Sequence, residues 1–423
     1  MENMKDIAIY TLTSELHDAA AIAEATQQFL DSLHMPYVLR GTDYSDYGQY
    51  ALNLLYVRTG GTEGIFKRLL PRLVAQAAEK TFYLLTSGKS NSLAASMEIL
   101  SYLRQQGLKG EIIHGRSEAV SARLQLLARA GEARKQLRGM RLGIVGEPSD
   151  WLISSHADAY AVYQRWGITL VEIPMKELLQ RYEDLPAPTP SACDTWLTGA
   201  GVPPMTQPAA PAVEAALPGA MRIYRALRQL VADYHLDGFT LRCFDLLDAV
   251  HNTGCMALAR LNAEGILAGC EGDVPALLSM AITKALLGVS GFQANPARID
   301  TATGEMWFAH CTIPLNMIQT MRLDTHFESG IGVGICGVAE KGAVTIFKAS
   351  ATDSRYFVAE GMLTASPSQP DLCRTQQVIM LADKERARYF LTEPIGNHHI
   401  IIPGHCGDLL REFVRGTLMV DYQ

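Results

Sequence analysis

Short, continuously apolar segments alternate with amphipathic helical patterns through the first third of the chain. The apolar runs lie at residues 7–10, 52–57, 82–85 and 111–113. Helical patterns follow them at 15–33, 65–78, 92–106 and 118–137. Because a strand without polar alternation must be buried on both faces, this order predicts a parallel sheet covered by helices on both sides.

A second α/β stretch begins at residue 141. Strands are predicted at 142–145, 168–173 and 238–241, and helices at 157–166, 220–234 and 274–287. The last helix is apolar almost all round, so we expect it to be buried. Eight of the 19 prolines lie between Pro186 and Pro218, and this interruption is interpreted as an irregular excursion within the stretch.

The character of the chain changes again at about residue 300. Short runs rich in β-forming residues appear at 306–308, 344–347, 378–380 and 399–402, separated by turn signals. A closing helix is expected from 408 to about 418. The sequence therefore predicts three domains, at 1–140, 141–299 and 300–423, of which the last is mainly antiparallel β.

Composition excludes several classes of protein. The 423 residues carry a formal charge of -7 without a basic block, which argues against a nucleic-acid partner. The chain contains no stretch of 18 apolar residues without charge, so a membrane-spanning helix is not expected. The first residues show no secretory signal, and we therefore expect a cytoplasmic protein. The eight cysteines are scattered without a C-x-x-C pair, and we expect them to be reduced and mostly buried.

Four polar clusters at the edges of apolar elements are candidates for chemistry. They are 269–273 with Glu271 and Asp273, the segment from Asn295 through Asp300 to His310, 324–330 with His326 and Glu328, and 396–405 with Asn397, His398, His399 and His405. Asp273 suits a helix cap, whereas Glu271 is flanked by small residues that would let a ligand approach. In a strand, His398 and His399 face opposite sides, so at most one of them would enter a given pocket.

These residue types have two interpretations, as a metal site or as structural residues. A carboxylate, an amide or second carboxylate, and an imidazole together suit a divalent cation such as Mn²⁺. Single histidines are more often structural residues with satisfied hydrogen bonds. The strand-to-helix turns at 59–63 and 86–91 are likewise open to two interpretations, as tight turns or as ligand sites at the carboxyl ends of strands.

The order of the polar motifs resembles the L-fucose isomerase-like family, which is related to L-arabinose isomerase. The resemblance rests on Gly269-Cys270-Glu271-Gly272-Asp273-Val274, His310-Cys311, Thr325-His326-Phe327-Glu328-Ser329-Gly330 and Gly396-Asn397-His398. Supporting matches lie at Thr59-Gly60-Gly61-Thr62-Glu63 and across 146–153. The motifs are specific in combination and cover most of the chain.

The resemblance implies a fold, an activity and a set of site residues. The fold would be two Rossmann-like α/β domains followed by a C-terminal mainly antiparallel β domain. The activity would be aldose–ketose isomerisation of a small sugar with Mn²⁺ and an ene-diol mechanism. The metal ligands would be Glu271, Asn295 and His398, with His310 as a further ligand, and Glu271 and Asn295 would be the catalytic pair. The substrate would contact His326, Glu328 and Asn397.

The same resemblance implies a homo-oligomer, a trimer or a hexamer, in which sites are completed by a neighbouring subunit. The turns around Thr59 and Thr86 would then contribute to an adjacent site.

Asn295 departs from the family, which has an aspartate at this position. An amide oxygen can bind a cation, but it adds no negative charge and cannot act as a base. Two alternatives to the isomerase therefore remain. One is another carbohydrate-active enzyme, such as an epimerase or a dehydratase of a modified sugar, and the other is a non-catalytic sugar-binding protein.

Overall fold

The computed structural model describes residues 6–77, 81–199, 201–351, 353–416 and 420–421. The chain divides into two compact units, Met1–Lys135 and Gln136–Gln423. The predicted domain boundaries at 140/141 and 299/300 stay predictions. Among the described residues, no helix is long and apolar enough to cross a bilayer.

The first unit is built on a parallel five-stranded sheet of order β2-β1-β3-β4-β5. Its elements are β1 Ile7–Leu12, α1 Ala19–Asp31, β2 Val38–Gly41, β3 Leu52–Val57, α2 Glu63–Gln76, β4 Thr81–Leu85, α3 Ser92–Gln105, β5 Lys109–Ile113 and α4 Ser117–Leu137. Ala8 and Tyr10 pack into one core, and Ile7 and Ile9 into another. Since successive strand residues point to opposite faces, the predicted burial of both faces is confirmed. The predicted end of the second helix at Ala78 lies outside the described residues.

The second unit begins with a parallel four-stranded sheet of order β7-β6-β8-β9. Its elements are β6 Arg141–Val145, α5 Ala159–Trp166, β7 Thr169–Ile173, α6 Met175–Asp184, α7 Pro190–Thr198, α8 Pro211–Asp233, β8 Gly238–Leu241, α9 Asp245–Val250, α10 Cys255–Ala263, β9 Leu267–Cys270 and α11 Val274–Leu287. The predicted α11 is confirmed as a buried helix.

The prediction of an irregular proline-rich segment was wrong for two stretches. Helix α7 begins at Pro190 and helix α8 at Pro211, each with proline in its first turn. Proline is favoured there because its fixed φ suits a helix and the first turn needs no N–H donor. Two of the eight prolines that indicated an interruption, Pro190 and Pro211, therefore mark helix starts.

Six of the remaining strands form a closed antiparallel barrel. Its elements and their flanking segments are β10 Phe292–Asp300, β11 Glu305–His310, β12 Thr320–Asp324, β13 Gly334–Val338, β14 Gly342–Ala349, β15 Arg355–Ala365, β16 Thr375–Leu381, α12 Tyr389–Thr392, β17 His399–Pro403, α13 Gly407–Arg415 and β18 Val420–Asp421. The order β14-β17-β10-β11-β16-β15 closes because β15 also pairs with β14. The predicted antiparallel character is confirmed, while the closure was not predicted. The expected helix end at Leu418 lies outside the described residues.

Helix α11 connects the parallel sheet to the barrel. Its Ser279 hydroxyl accepts a hydrogen bond of 2.9 Å from the backbone N–H of Ala349 in β14. Three residues, 271–273, separate the end of β9 from the start of α11. This turn therefore lies where the sheet meets the barrel.

Candidate metal centre

The turn after β9 has an unusual backbone. Glu271 has a φ of 64°, in the left-handed region that non-glycine residues rarely adopt. Its carbonyl accepts a hydrogen bond of 2.9 Å from the N–H of Ser149. A Cβ on Gly272 would lie 2.5 Å from the carbonyl oxygen of Glu147, so only glycine fits there. The loop after β6 thus fixes the direction in which Glu271 leaves the turn, and strain of this kind clusters at functional sites.

Three side chains from separate elements converge at this turn. One ligand atom from each of Glu271, His310 and His398 lies within 4.8 Å of the others. Glu271 Oε1 is 3.3 Å from His398 Nε2 and 3.5 Å from His310 Nε2. All three side chains are buried. The structure therefore brings together three of the four residues that were predicted to bind a metal.

The far nitrogen of each imidazole is held by another side chain. His398 Nδ1 lies 2.8 Å from Asp273 Oδ2, and His310 Nδ1 lies 3.0 Å from the Thr312 hydroxyl. The other oxygen of Asp273 caps α11 by accepting from the N–H of Ala276. The prediction of Asp273 as a cap is confirmed, and its contact with His398 was missed. A carboxylate on the far nitrogen is the usual way to orient a metal-binding histidine.

A buried lysine completes the charged group. The Lys348 ammonium lies 3.6 Å from Asp273 Oδ1, and its side chain is essentially inaccessible to solvent. Burial lowers the pKa of Lys348, against the opposing effect of Asp273. The predicted apolar run of this strand ends at Phe347, just before the lysine. A charge within an otherwise apolar run was the signal that could have identified it.

The pKa shifts follow from burial and from mutual charge. Burial alone would raise the pKa of Glu271, but the imidazoles of His398 and His310 lower it well below its usual value. Burial would likewise raise the pKa of Asp273, yet Lys348 and His398 bring it to about 2. Burial would lower the pKa of His398, while Glu271 and Asp273 raise it to about 9. Two carboxylates, two imidazoles and one ammonium thus share a single buried site.

Several buried side-chain atoms among the described residues lack a hydrogen-bond partner. They include His398 Nε2 and Lys348 Nζ at this site, and Asn295 Oδ1 in β10. The His398 atom is close enough to Glu271 for attraction, but the geometry excludes a hydrogen bond between them. Gln293, which shares a face of β10 with Asn295, exchanges hydrogen bonds with the backbone of Cys270. That face of β10 is therefore turned toward the end of β9, and the residues present fit a cation held by oxygen and nitrogen.

Trp151 contacts the same carboxylate from the other side. Its indole N–H donates a hydrogen bond of 2.7 Å to Glu271 Oε2. The segment around Trp151 was only a supporting motif of the family resemblance, and no role was predicted for the residue. A tryptophan in a polar loop directly after a parallel strand was the signal available.

The three residues predicted to contact substrate have different settings. His326 is buried, its Nδ1 lies 3.1 Å from the Ser329 hydroxyl, and its ring packs against Phe244. Glu328 and Asn397 are exposed. Among the described residues, no hydrogen bond or ion pair joins either of them to the three-residue cluster. His399 points away from the cluster and contacts the Tyr389 hydroxyl, as the strand alternation predicted.

The cysteines form no disulfide in the structure. Six of the eight are buried. Cys270, which precedes Glu271, has its sulfur 3.0 Å from that of Cys243. The expectation that the cysteines are mostly buried is confirmed, and their reduced state stays a prediction.

No protein-family model matches the chain. Three similar proteins are sulfoquinovose isomerases. That of Clostridium sp. (strain MSTE9) is 27% identical over 219 residues, which are 51% of this chain and 46% of that protein. That of Alkalicoccus urumqiensis is 22% identical over 231 residues, 52% of this chain and 49% of the relative. That of Priestia aryabhattai is 20% identical over 274 residues, 63% and 60% respectively.

The chain spans about half the length of the first two relatives. The similarity supports a relationship to sugar isomerases, which is broader than the L-fucose isomerase-like family that the motifs resemble.

Proposed function

We propose that the protein is a metal-dependent aldose–ketose sugar isomerase. The observation that carries the proposal is the buried Glu271, His310 and His398 cluster, in which His398 Nε2 has no hydrogen-bond partner among the described residues. The sulfoquinovose isomerases support the same reaction class, since they catalyse an isomerisation of a sugar.

The proposed ion is Mn²⁺. Glu271 Oε1, His310 Nε2 and His398 Nε2 are the proposed ligands, and Asn295 Oδ1 is the proposed fourth. Carboxylate, amide and imidazole groups suit a divalent ion of this kind. Asp273 and Thr312 would keep the two imidazoles in the orientation that presents Nε2 to the ion.

Moving a carbonyl between C1 and C2 requires removing a proton from the carbon beside it. A divalent ion held by these residues would supply positive charge to stabilise the negative charge that develops on the substrate oxygens. Glu271 is the proposed base, because Asn295 cannot accept a proton. The Glu271 carboxylate would take the proton from one carbon and return it to the next. Burial of the cluster would keep water away from that proton.

A substrate panel tests this function. The panel contains sulfoquinovose, aldopentoses and 6-deoxyhexoses, and the products are followed by ¹H NMR in D₂O. The expected result is conversion of at least one aldose to its ketose. A chelator should abolish turnover and added Mn²⁺ should restore it. Absence of turnover on the whole panel, together with absence of Mn²⁺ binding, would contradict the proposal.

A second candidate function follows from Asn295. A site with one carboxylate base also suits epimerisation or dehydration of a modified sugar. An epimer or a dehydrated product found by mass spectrometry, with no ketose, would favour this candidate. Tight sugar binding without any product would instead favour a binding protein.

The proposed assembly is a homo-oligomer, a trimer or a hexamer. Light scattering coupled to size exclusion measures this directly, and a mass of 46.3 kDa for the particle would contradict it.

A further inference from the structure

Trp151 combines a short polar contact with an exposed aromatic face. It lies in the loop between β6 and α5, and about half of the residue is exposed (52%). The carboxylate to which it donates is 7% exposed. The indole therefore connects a buried acid to solvent at the edge of the proposed centre.

The indole is the first member of an aromatic row. Trp151 meets Phe244 edge to face at a centroid distance of 4.7 Å and an angle of 80°. Phe244 in turn meets the ring of His326 at 5.4 Å and 84°. Edge-to-face contacts of this kind fix the relative orientation of rings. The row runs from Glu271 to His326, the buried residue among the three that were expected to contact a sugar.

The two oxygens of Glu271 have separate partners. Oε1 lies beside the two imidazoles, and Oε2 accepts from the indole N–H. The terminal torsion of a glutamate has a broad energy profile, so a carboxylate without such a donor can turn and exchange its oxygens. A hydrogen bond to a charged acceptor is about twice as strong as a neutral one, so the indole N–H is well suited to prevent this.

We propose that Trp151 is a positioning residue for Glu271 and also one wall of the sugar site. The indole N–H holds Oε2, so that Oε1 stays turned to His310 and His398. The exposed indole face packs against the C–H face of a sugar, since an aromatic ring offers apolar surface with a fixed orientation. This inference rests on the proposed isomerase function and adds a specific residue to it.

The test compares Trp151→Phe, which keeps a ring but loses the N–H, with Trp151→Ala, which loses both. Trp307→Phe is the matched control, because the Trp307 indole donates a similar hydrogen bond of 2.9 Å to Glu305. The measurements are the Kd for Mn²⁺ by calorimetry and kcat and KM on the best aldose. Thermal denaturation checks that each variant is folded.

The two Trp151 variants should separate the two roles. Trp151→Phe should lower kcat about 10-fold and weaken Mn²⁺ binding about 5-fold with little change in KM, because only an orienting hydrogen bond is lost. Trp151→Ala should also raise KM about 5-fold or more, because the apolar wall is lost. Trp307→Phe should leave all three constants at the wild-type values.

Two results would overturn the inference. If Trp151→Phe matches Trp307→Phe in kcat and Kd while the wild-type enzyme is active, Trp151 does not position Glu271. If Trp151→Ala leaves KM unchanged, the indole is not a wall of the sugar site. Failure of the proposed function looks different, because wild-type protein would then neither bind Mn²⁺ nor convert any aldose, and the inference would fall with it.

Discussion

The carboxyl ends of the two parallel sheets are closed in different ways. In the first unit, the strand-to-helix turns are closed by neutral hydroxyls. The Thr59 hydroxyl accepts from the N–H of Ser14, the Thr62 hydroxyl donates to the Thr59 carbonyl, and the hydroxyls of Thr86 and Ser92 are 2.6 Å apart. Thr59, Thr62, Thr86 and Ser92 are all fully buried.

In the second unit, the corresponding turn after β9 holds buried charge. Glu271 has a strained backbone, Asp273 contacts Lys348 and His398, and none of these side chains is open to solvent. Neutral hydrogen bonds close a turn at a net gain of about 1 kcal/mol each, whereas burying ions costs several kcal/mol and brings little net stability. Closing such a turn therefore requires no charges, and the buried charges after β9 point to chemistry.

Glu271→Gln should have the largest effect, because it removes the only negative ligand of the proposed ion. Mn²⁺ binding should weaken about 100-fold or more and turnover should fall about 1000-fold, as expected for loss of a charged ligand and a base. Calorimetry and NMR assays measure the two effects. Glu264→Gln is the control, since Glu264 accepts hydrogen bonds from Tyr224 and Arg260 away from the site. Equal activity of the two variants would remove the contrast between the sheets.

Lys348→Met should lower the free energy of unfolding by about 3 kcal/mol, because it leaves Asp273 buried without its ammonium partner. Urea denaturation of the metal-free protein measures the change. Lys384→Met, at an exposed lysine, should change it by less than about 0.5 kcal/mol. Asp273→Asn, which keeps a capping side chain, should cost less on the Lys348→Met background than alone. Additive effects would show that the two groups do not interact in the folded protein.

The fold could be predicted where local pattern decides structure. Continuous apolar runs such as 52–57 identified the buried strands of the first sheet, and the apolar helix at 274–287 was placed correctly. Barrel closure was not predicted, because it depends on which distant strands pair, as β14 does with β15 and β17. The helix at Pro190 was missed because proline has opposite meanings inside a helix and in its first turn.

Residues of the candidate site could be predicted only where they belong to a short recognisable motif. Glu271 and His398 came from short motifs, and the structure places them in contact. Trp151 and Lys348 were missed because their partners, Glu271 and Asp273, lie far away in sequence. When two interacting residues lie far apart in the chain, their separation follows no periodicity that a sequence pattern can reveal.

Asn295→Asp would add a carboxylate to the proposed metal centre. If Asn295 Oδ1 binds the ion, the new carboxylate should tighten Mn²⁺ binding about 10-fold, because a charged ligand replaces a neutral one. Calorimetry at constant pH measures the Kd. Asn397→Asp, at an exposed position near His398, controls for a general increase in negative charge. Unchanged affinity in Asn295→Asp would mean that residue 295 does not contact the metal.

Thr86→Val tests the neutral turn. The substitution removes the hydroxyl that contacts Ser92 and accepts from the N–H of Gly88, so the free energy of unfolding should fall by about 1 kcal/mol. Affinity for Mn²⁺ should stay the same, since the hydroxyl closes a turn and binds no ion. Urea denaturation and calorimetry give the two values. A loss of metal affinity without a loss of stability would show that the turns of the first sheet also carry chemistry.

Tyr44→Phe should have the smallest effect at neutral pH and a characteristic dependence on alkaline pH. The Tyr44 hydroxyl donates to the Thr11 carbonyl at 2.7 Å, and burial raises the pKa of Tyr44 to about 12. Between pH 10 and 12 the unfolded chain loses this proton while the folded chain keeps it, so the stability due to the neutral phenol is present below pH 10 and is lost as pH rises toward 12. Wild-type protein should therefore unfold more easily with rising pH in this range, and Tyr44→Phe should show a shallower decline. Urea denaturation of both proteins from pH 9 to 11.5 measures the two slopes. Parallel slopes would mean that Tyr44 titrates alike in both states, and that burial in the first unit does not favour neutral groups as the comparison requires.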